Sequence, residues 1–450
     1  MSAALPRRRA RSRPASVRLP RLPYGWPVVA LFGLFPVWWA LGLAGFVWVL
    51  LAIPMAFSLL VRERVRAPKG FGLWMLFLFW MLASGVMLDE GIRWIPFLFR
   101  AGQYFSATIL FLYIFNAPRS ILDDRTVIMP MVALWVVTVI GGYLGILLAG
   151  YTFGTPIEML LPASIASNAY VQTMVHPGFG QIAEFLVYPW PRPNAPFEYT
   201  NDWGASFALL MPFVILAFRR YRTTLARNFM RVMIVLSLVP LVVSMNRGLW
   251  LSLSLGIIFA GFRYAAQGRT KPLASMMLGV AIIGLILGFS PLRGLIEQRF
   301  EHQHSNQGRL TLYTQATAGV LESPMLGYGS PQPNDNPNFP SVGTQGQLWL
   351  LLYSHGFPGA LLFVAWYVLV AWRLRRGRDD LNLWMQVVVV ISIIQLAFYG
   401  QVPAQIHITF AAMALGLRAL LPEEAAQPRR SELRRPRGAR ALASPGATRS

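Results

Sequence analysis

The sequence predicts an all-α integral membrane protein with about 12 transmembrane helices and two long loops on one side. Of the 450 residues, 55% are hydrophobic and only 13% are charged, and the mean hydropathy is +0.48. A soluble domain is about 45–50% apolar and about 25% charged. Apolar runs recur from residue 26 to residue 420. These observations exclude a soluble globular protein, a disordered chain and a fibre.

Twelve apolar segments of ~17–24 residues are each long enough to cross a bilayer. The first two and the last two are joined by almost no loop. The predicted spans are 26–43, 45–61, 71–88, 93–115, 127–150, 203–218, 229–245, 248–264, 273–290, 356–372, 383–399 and 404–420.

The placement of arginine predicts which side each loop faces. Cytoplasmic loops carry an excess of Lys and Arg. With twelve spans, the basic clusters of the two tails and of alternate loops all fall on one side, which predicts cytoplasmic termini. These topology signals explain the net charge of +22, so no nucleic-acid partner is expected. We expect residues 1–24 to form a basic disordered arm, 25–420 the membrane domain, and 421–450 a basic disordered tail.

Two long loops, 151–202 and 291–355, lie on the opposite side of the predicted topology. They hold nearly all of the polar residues that are not topology signals. Loops longer than about 15 residues in a compact protein are usually functional. The chemistry is therefore expected on the outer face. No internal repeat is visible, which weakens a repeat-based transporter architecture.

Two arginines on this outer side are not explained by topology. Arg247 lies between two apolar spans, in Val-Ser-Met-Asn-Arg-Gly-Leu-Trp, and Arg309 lies in the second long loop. Either could be ordinary, Arg247 as a snorkelling residue at a helix end and Arg309 as a solvated loop residue. Together, two fixed arginines can bind a phosphate or diphosphate through bidentate hydrogen bonds.

A second polar group lies inside the fourth span. Arg100 is followed one turn later by Gln103 and Tyr104, so the three could line a polar cavity or make structural hydrogen bonds between helices. None of the five histidines forms a recognisable ligand pair, cysteine is absent, and no glycine-rich phosphate loop occurs. Neither a metal nor another cofactor is predicted.

The order of these motifs resembles that of the O-antigen ligase family, which also includes O-antigen and exopolysaccharide polymerases. The resemblance covers residues 200–375. It rests on Ser244-Met245-Asn246-Arg247-Gly248, on Gly308-Arg309-Leu310-Thr311-Leu312-Tyr313, on Ser323-Pro324-Met325-Leu326-Gly327-Tyr328-Gly329, and on Asn201 at the start of an earlier span.

The sequence departs from the family at one position. The family has a histidine about eleven residues before the glycine that begins the next span, and here that position is Gln345. Glutamine cannot act as a general base. The candidates for a replacement base are His355, nearest to the family's catalytic turn, and then Glu198 and Asp202 beside Asn201. His355 could instead only cap the following helix.

The resemblance implies a metal-independent glycosyltransferase with a fold similar to the GT-C-like fold of O-antigen ligases. Its donor would be a polyprenyl-diphosphate-linked glycan and its acceptor a glycan or lipid, at the outer face of the bacterial cytoplasmic membrane. Arg247, Arg309, Gln345 and His355 would be catalytic. The substrate-binding residues would be Arg100, Gln103, Tyr104, Asn201 and Tyr313.

Two other functions remain open. A carrier or flippase for lipid-linked glycans would need polar residues through several spans, whereas the sequence concentrates them outside. A non-catalytic scaffold of the cell envelope is favoured only by the missing histidine.

Overall fold

A computed structural model describes residues 22–162, 169–183, 189–221, 223–289, 304–334, 336 and 339–422. Within these ranges, side chains are not described at 169–170, 272, 280, 282–289 and 304–309. Nearly all of the predicted basic arm and tail therefore lies outside the described residues, as do the start of the second long loop and the side chain of Arg309.

The described chain is built almost entirely from helices. The helices are α1 Trp26–Gly33, α2 Phe35–Leu41, α3 Val47–Leu60, α4 Phe71–Ala83, α5 Trp94–Asn116, α6 Asp124–Leu147, α7 Pro156–Leu160, α8 Ala169–Val175, α9 Thr200–Arg220, α10 Thr224–Val243, α11 Arg247–Ala266, α12 Thr270–Phe289, α13 His304–Glu322, α14 Gln347–Leu374, α15 Asp380–Gln395 and α16 Ala404–Ala419. The strands β1 Gly180–Ala183 and β2 Trp190–Pro193 pair antiparallel.

Each of the twelve predicted spans contains a helix, and the first is divided into α1 and α2. Among the described residues, six helices are long and apolar enough to cross a membrane, judged by length and composition. They are Gly91–Asn116, Asp124–Leu147, Thr200–Arg220, Thr224–Val243, Arg247–Ala266 and Gln347–Leu374. The predicted class, an all-α membrane protein, is confirmed. The total of twelve spans stays a prediction.

The two predicted long loops contain regular structure. The first holds α7, α8 and the hairpin, and the second holds α13 and the beginning of α14. Helix α14 begins at Gln347, although the sequence analysis placed the start of this span at residue 356. The apolar residues 348–353 already continue the helical pattern, and Gly356 breaks the helix instead of beginning it.

The centre of the fold is α16. Every residue from Ala404 to Arg418 is buried, including the polar Gln405, His407 and Thr409. It packs against α5, α15, α9 and α14. Gly416 allows the close approach of α14, since a Cβ there would lie 2.6 Å from a methyl carbon of Leu374. Small residues allow this kind of packing between membrane helices.

Successive long helices alternate between two ends of the bundle. The arginine-rich end is formed by residues 61–69, 117–123, 219–221, 263–269 and 373–379. The loop-rich end is formed by the described parts of 148–199 and 323–346, with the connection 396–403 between α15 and α16.

Two aspartates bind arginines at the arginine-rich end. Asp124 accepts from Arg418 at 2.9 Å and from Arg220 at 3.4 Å. Asp380 accepts from Arg219 at 3.0 Å and from Arg269 at 2.6 Å. The adjacent arginines at the end of α9 thus connect that helix to α6 on one side and to α15 on the other.

Candidate functional site

A break in α14 organises the loop-rich end. Gly356 has φ 66° and ψ −173°, which interrupts the helical hydrogen bonds. The carbonyls released by the break accept from the turn 323–329: Tyr328 N donates to Tyr353 O at 2.9 Å, and Gly329 N donates to Ser354 O at 2.8 Å. The Pro-x-x-Gly-x-Gly turn identified in the sequence is therefore inserted into the broken helix.

Glycine is required on both sides of this contact. A Cβ at Gly327, where φ is +61°, would lie 2.4 Å from the carbonyl oxygen of Tyr353. A Cβ at Gly356 would lie 2.3 Å from the carbonyl oxygen of Met325. Other residues would be strained at these dihedrals and would also collide with backbone atoms.

His355 lies beside the break and faces α4. Its side chain is buried, and Nδ1 is 2.7 Å from the Ser84 hydroxyl. Its carbonyl accepts from Trp80 Nε1 at 3.1 Å, and its ring packs edge-on against Phe77. The imidazole is thus enclosed by packing between α4 and α14, and its catalytic role stays a prediction.

Tyr313 and Gln345 lie together. Tyr313 stacks on Trp349, with ring centroids 4.4 Å apart, and its hydroxyl donates to the Gln345 carbonyl at 3.5 Å. Arg309 lies one helical turn before Tyr313 on α13, and its side chain lies outside the described residues. Tyr313 and Gln345, both singled out from the sequence, therefore belong to the contact between α13 and the start of α14.

Arg247 is the first residue of α11 and is half-buried. Asn246 caps this helix by accepting from Leu249 N at 3.3 Å, and its Nδ2 donates to Thr200 O at 3.1 Å. Met245, just before the cap, has a positive φ of 46°. The start of α11 therefore packs on the start of α9, where Asn201 follows Thr200.

The connection 396–403 joins the starts of α11 and α14. The Tyr399 carbonyl accepts from Gln347 N at 2.8 Å, and the Tyr399 hydroxyl donates to Asn246 Oδ1. Gln401 N donates to Gln347 Oε1 at 3.1 Å, and Gln347 Nε2 donates to the Tyr104 hydroxyl at 2.8 Å. One short loop thus holds together two segments that the sequence analysis related only by motif.

The proposed cluster on α5 divides in two. Arg100 Nη1 donates to Ser330 Oγ at 3.3 Å, and the Tyr104 hydroxyl accepts from Gln347. Both residues therefore face the loop-rich end. Gln103 instead donates to Gly45 O at 2.8 Å, in the connection between α2 and α3. Neighbouring helical positions are about 100° apart, which separates Gln103 from Tyr104. Binding of substrate by these residues stays a prediction.

The sequence analysis missed Arg93. This residue is 4% exposed and donates to Tyr328 O at 2.7 Å and to Ser330 O at 2.6 Å. Its hydrogen bond to Asp89 lowers the pKa of that carboxyl below its usual value. Arg93 thereby fixes the turn 323–329 to the start of α5. One indication of Arg93 was present in the sequence: this residue lies at the start of a predicted span, on the predicted outer side.

Glu198 and Asp202 border a small pocket at the start of α9. The other residues lining it are Phe35, Ala44, Pro196, Phe197, Pro403, Ala404 and Gln405. Gln405 Nε2 donates to Asp202 O at 3.2 Å and lies 3.4 Å from Asp202 Oδ1. Burial, and then the neighbouring Asp202 carboxylate, raises the pKa of Glu198 to about 8.

Residues 232–364 match the family model described as O-antigen ligase, Wzy_C. The match covers less than a third of the chain and extends from α10 into α14, so it contains Arg247, Arg309, Gln345 and His355. Glu198 and the connection 396–403 lie outside it. No curated protein matches the chain. Because the matched segment contains the same motifs that meet at the loop-rich end, the resemblance to O-antigen ligases found in the sequence is confirmed for residues 232–364.

Proposed function

We propose that the protein transfers glycan from a polyprenyl diphosphate to a glycan or lipid acceptor, as a ligase or a polymerase. The observation that carries this proposal is the contact made by Tyr399, which connects Asn246 before Arg247 to Gln347 after Gln345. Two family motifs about a hundred residues apart in the chain are thereby held side by side at one end of the helix bundle.

Arg247 would stabilise the leaving diphosphate. As the bond to the sugar breaks, negative charge develops on the diphosphate oxygens, and fixed donors aimed at that charge lower the barrier. Arg247 begins α11, where the helix dipole also favours an anion. Arg309, one turn from Tyr313, is the proposed second donor. This proposal gives the charge stabilisation to arginine and needs no metal ion.

We place the loop-rich end at the outer face of the bacterial cytoplasmic membrane and the arginine-rich end in the cytoplasm. The distribution of basic residues between the two ends supports this orientation. A polyprenyl donor would then keep its apolar chain in the bilayer and its diphosphate at the outer interface. The acceptor hydroxyl would approach over residues 323–346.

The test is the replacement of Arg247. In a deletion strain complemented with Arg247→Ala, we expect surface glycan product to fall by about 10²–10³-fold, as when one donor to a developing anion is lost. Arg247→Lys should rescue poorly, because lysine lacks the planar fork that fits two phosphate oxygens. The measurement is surface-glycan analysis at equal protein level in the membrane.

Arg231→Ala is the matched control. Arg231 is an exposed arginine of α10 that hydrogen-bonds to Asn228 at 3.0 Å and lies over the Phe218 ring near the arginine-rich end, so its replacement should leave product unchanged. Full product with Arg247→Ala would remove the diphosphate-binding role from the proposal. In the deletion strain itself, shortened glycan chains would indicate a polymerase, and accumulated unattached lipid-linked glycan would indicate a ligase.

A further inference from the structure

We propose that Glu198 takes the proton from the acceptor hydroxyl during glycan transfer, with Asp202 and Gln405 as positioning residues. This assignment rests on the proposed function and concerns the step for which Gln345 supplies no base.

The reaction needs a proton acceptor. The hydroxyl oxygen of the acceptor forms a bond to the anomeric carbon, and the bond from that carbon to the diphosphate oxygen breaks with its electron pair on the diphosphate. The hydroxyl proton moves to the Glu198 carboxylate, which becomes a neutral carboxylic acid and later returns the proton to water. A positioned base commonly contributes about 10²–10⁴-fold in rate.

Most of the other described candidates at the loop-rich end already have a side-chain partner, and Glu90 is exposed at the surface. In the described chain, four titratable side chains that could serve as a base have close partners. They are His355 with Ser84, Glu158 with His176, Asp89 with Arg93, and Glu322 with Tyr328. In each case this partner already occupies one polar atom of the side chain and holds its orientation.

Glu198 differs from these groups. Its carboxylate makes no hydrogen bond to any described residue, and it borders the pocket. Gln405 lines the same pocket and is fully buried, and its Oε1 has no hydrogen-bond partner within the described ranges. A buried acceptor of this kind costs free energy unless a donor reaches it. The acceptor hydroxyl would donate to Glu198 at the edge of this pocket.

The pocket and the contact between α9 and α11 both lie at the start of α9. Asn246, the residue before Arg247, donates to Thr200 O at 3.1 Å, and a Cβ at Gly204 would lie 2.4 Å from Asn246 Nδ2. The first turn of α9 therefore packs directly on the start of α11. Glu198, the proposed base, and Arg247, the proposed hydrogen-bond donor to the leaving diphosphate, therefore lie at the starts of two adjacent helices.

The electrostatic surroundings suit a base that works near neutral pH. In the described part of the chain, the titratable groups facing Glu198 are Asp202 and Tyr199. The other elements packed against it present neutral groups: Met174 from α8, Gly45 from the connection before α3, and Gln405 from α16. With a pKa of about 8, Glu198 would be mostly protonated at neutral pH. Activity should then rise with pH as the carboxylate forms.

The first experiment needs no substrate. Purified full-length protein in lipid vesicles is titrated from about pH 6 to about pH 10 while the carbonyl stretch of protonated carboxyl groups is followed by infrared spectroscopy. We expect a band that is lost near the Glu198 pKa, is absent in Glu198→Gln, and titrates at lower pH in Asp202→Asn. A wild-type spectrum unchanged by Glu198→Gln would overturn the assignment.

The second experiment measures transfer. Membrane vesicles from the deletion strain, which contain its own lipid-linked glycan and acceptor, receive each full-length variant. Glu198→Gln should lose about 10²–10⁴-fold in rate, and Glu198→Asp should recover part of it. Asp202→Asn should move the pH profile to lower pH, since it removes the negative charge that, after burial, raises the Glu198 pKa. Glu158→Gln, a carboxylate paired with His176, is the control and should keep the wild-type profile.

The outcomes separate this assignment from the proposed function. If the wild type forms product and Glu198→Gln keeps its rate and pH profile, Glu198 is not the base, and the glycosyltransferase assignment stands. If the infrared band behaves as expected but the wild type forms no product from the donor, the proposed function fails, and the base assignment fails with it. Partial recovery by Glu198→Asp guards against misreading a folding defect.

Discussion

His355 shows how one side chain can fit a catalytic motif and still be needed for packing. Its Nδ1 lies 2.7 Å from Ser84 Oγ, and only 2% of the residue is exposed. The hydrogen bond connects α14, next to its break, with the end of α4. A buried polar pair of this kind stabilises the fold mainly because either partner alone would be left unsatisfied.

Replacement of Ser84 by alanine tests this role. Ser84→Ala leaves Nδ1 of His355 without its partner, so the free energy of unfolding should fall by about 1–3 kcal/mol. The measurement is thermal unfolding of the purified protein in detergent. Ser58→Ala is the control, because Ser58 bonds only to Pro54 O in its own helix, and it should shift stability by less than about 0.5 kcal/mol. Equal effects of the two variants would contradict a structural His355–Ser84 pair.

The sequence could predict the site residues that are charged or that belong to a family motif. Arg247, Tyr313 and Gln345 stand out by charge or spacing, and the structure places them at one end. Gln401 and Gln405 were missed because neutral amides in an apolar run resemble ordinary interhelical hydrogen bonds. Gln405 donates to the Asp202 carbonyl of α9, and the backbone N–H of Gln401 donates to the Gln347 side chain of α14. No local sequence pattern records these partners.

Helix α14 shows the same limit for a whole element. Gly356 and Pro358 are usual marks of a helix boundary, and the sequence analysis started a span there. The helix begins at Gln347 and continues through the break because the turn 323–329 supplies the missing hydrogen bonds. That partner is about thirty residues away in the sequence, so a local pattern cannot distinguish a helix start from a repaired break.

Gly356→Ala should destabilise the protein strongly. Alanine at φ 66° and ψ −173° costs about 1–3 kcal/mol in backbone strain, and its Cβ would also collide with Met325 O. Gly72→Ala is the matched control, because no atom lies within 4 Å of a Cβ at that exposed position of α4. Alanine there should be neutral or stabilising. The measurement is thermal unfolding of both variants. Equal stability of the two variants would contradict this prediction.

For the molecule as a whole, the arginine-rich end combines two ion-pair sites with different burial. The side chains of Arg418 and Asp124 are 1% and 7% exposed. Those of Arg219 and Asp380 are 31% and 27% exposed. Arg418 also donates to the carbonyls of Ile114, Ala117 and Leu122, so it joins the central helix α16 to both ends of the connection between α5 and α6.

Two matched substitutions should therefore differ in effect. Asp124→Asn leaves the buried Arg418 without its counter-charge and should lower the free energy of unfolding by about 3–5 kcal/mol. Asp380→Asn removes ion pairs that remain partly in water and should cost only about 0–1 kcal/mol. The measurement is chemical or thermal unfolding at two salt concentrations. A cost for Asp380→Asn as large as that for Asp124→Asn would contradict this ranking.

Hydropathy and length were sufficient to locate a helix in every predicted span, because apolar runs must be buried in lipid or protein. They were not sufficient for residues 151–202 and 291–355, where α7, α8, α13 and the hairpin form. These elements are stabilised by contacts with the bundle and not by a long apolar run. The arrangement of the helices around α16 likewise depends on packing that composition does not specify.

The inserted turn has a consequence for how the chain is made. Residues 323–329 are synthesised before α14, yet the backbone groups they satisfy exist only after α14 has entered the bilayer. Until the two meet, the carbonyls of Tyr353 and Ser354 and the N–H of Phe357, which pairs with Pro324 O at 2.8 Å, have no partner, at several kcal/mol for each group in lipid. Docking of the turn is therefore a late step of biogenesis, and a chain that fails it presents an incomplete helix to the quality-control proteases of the membrane.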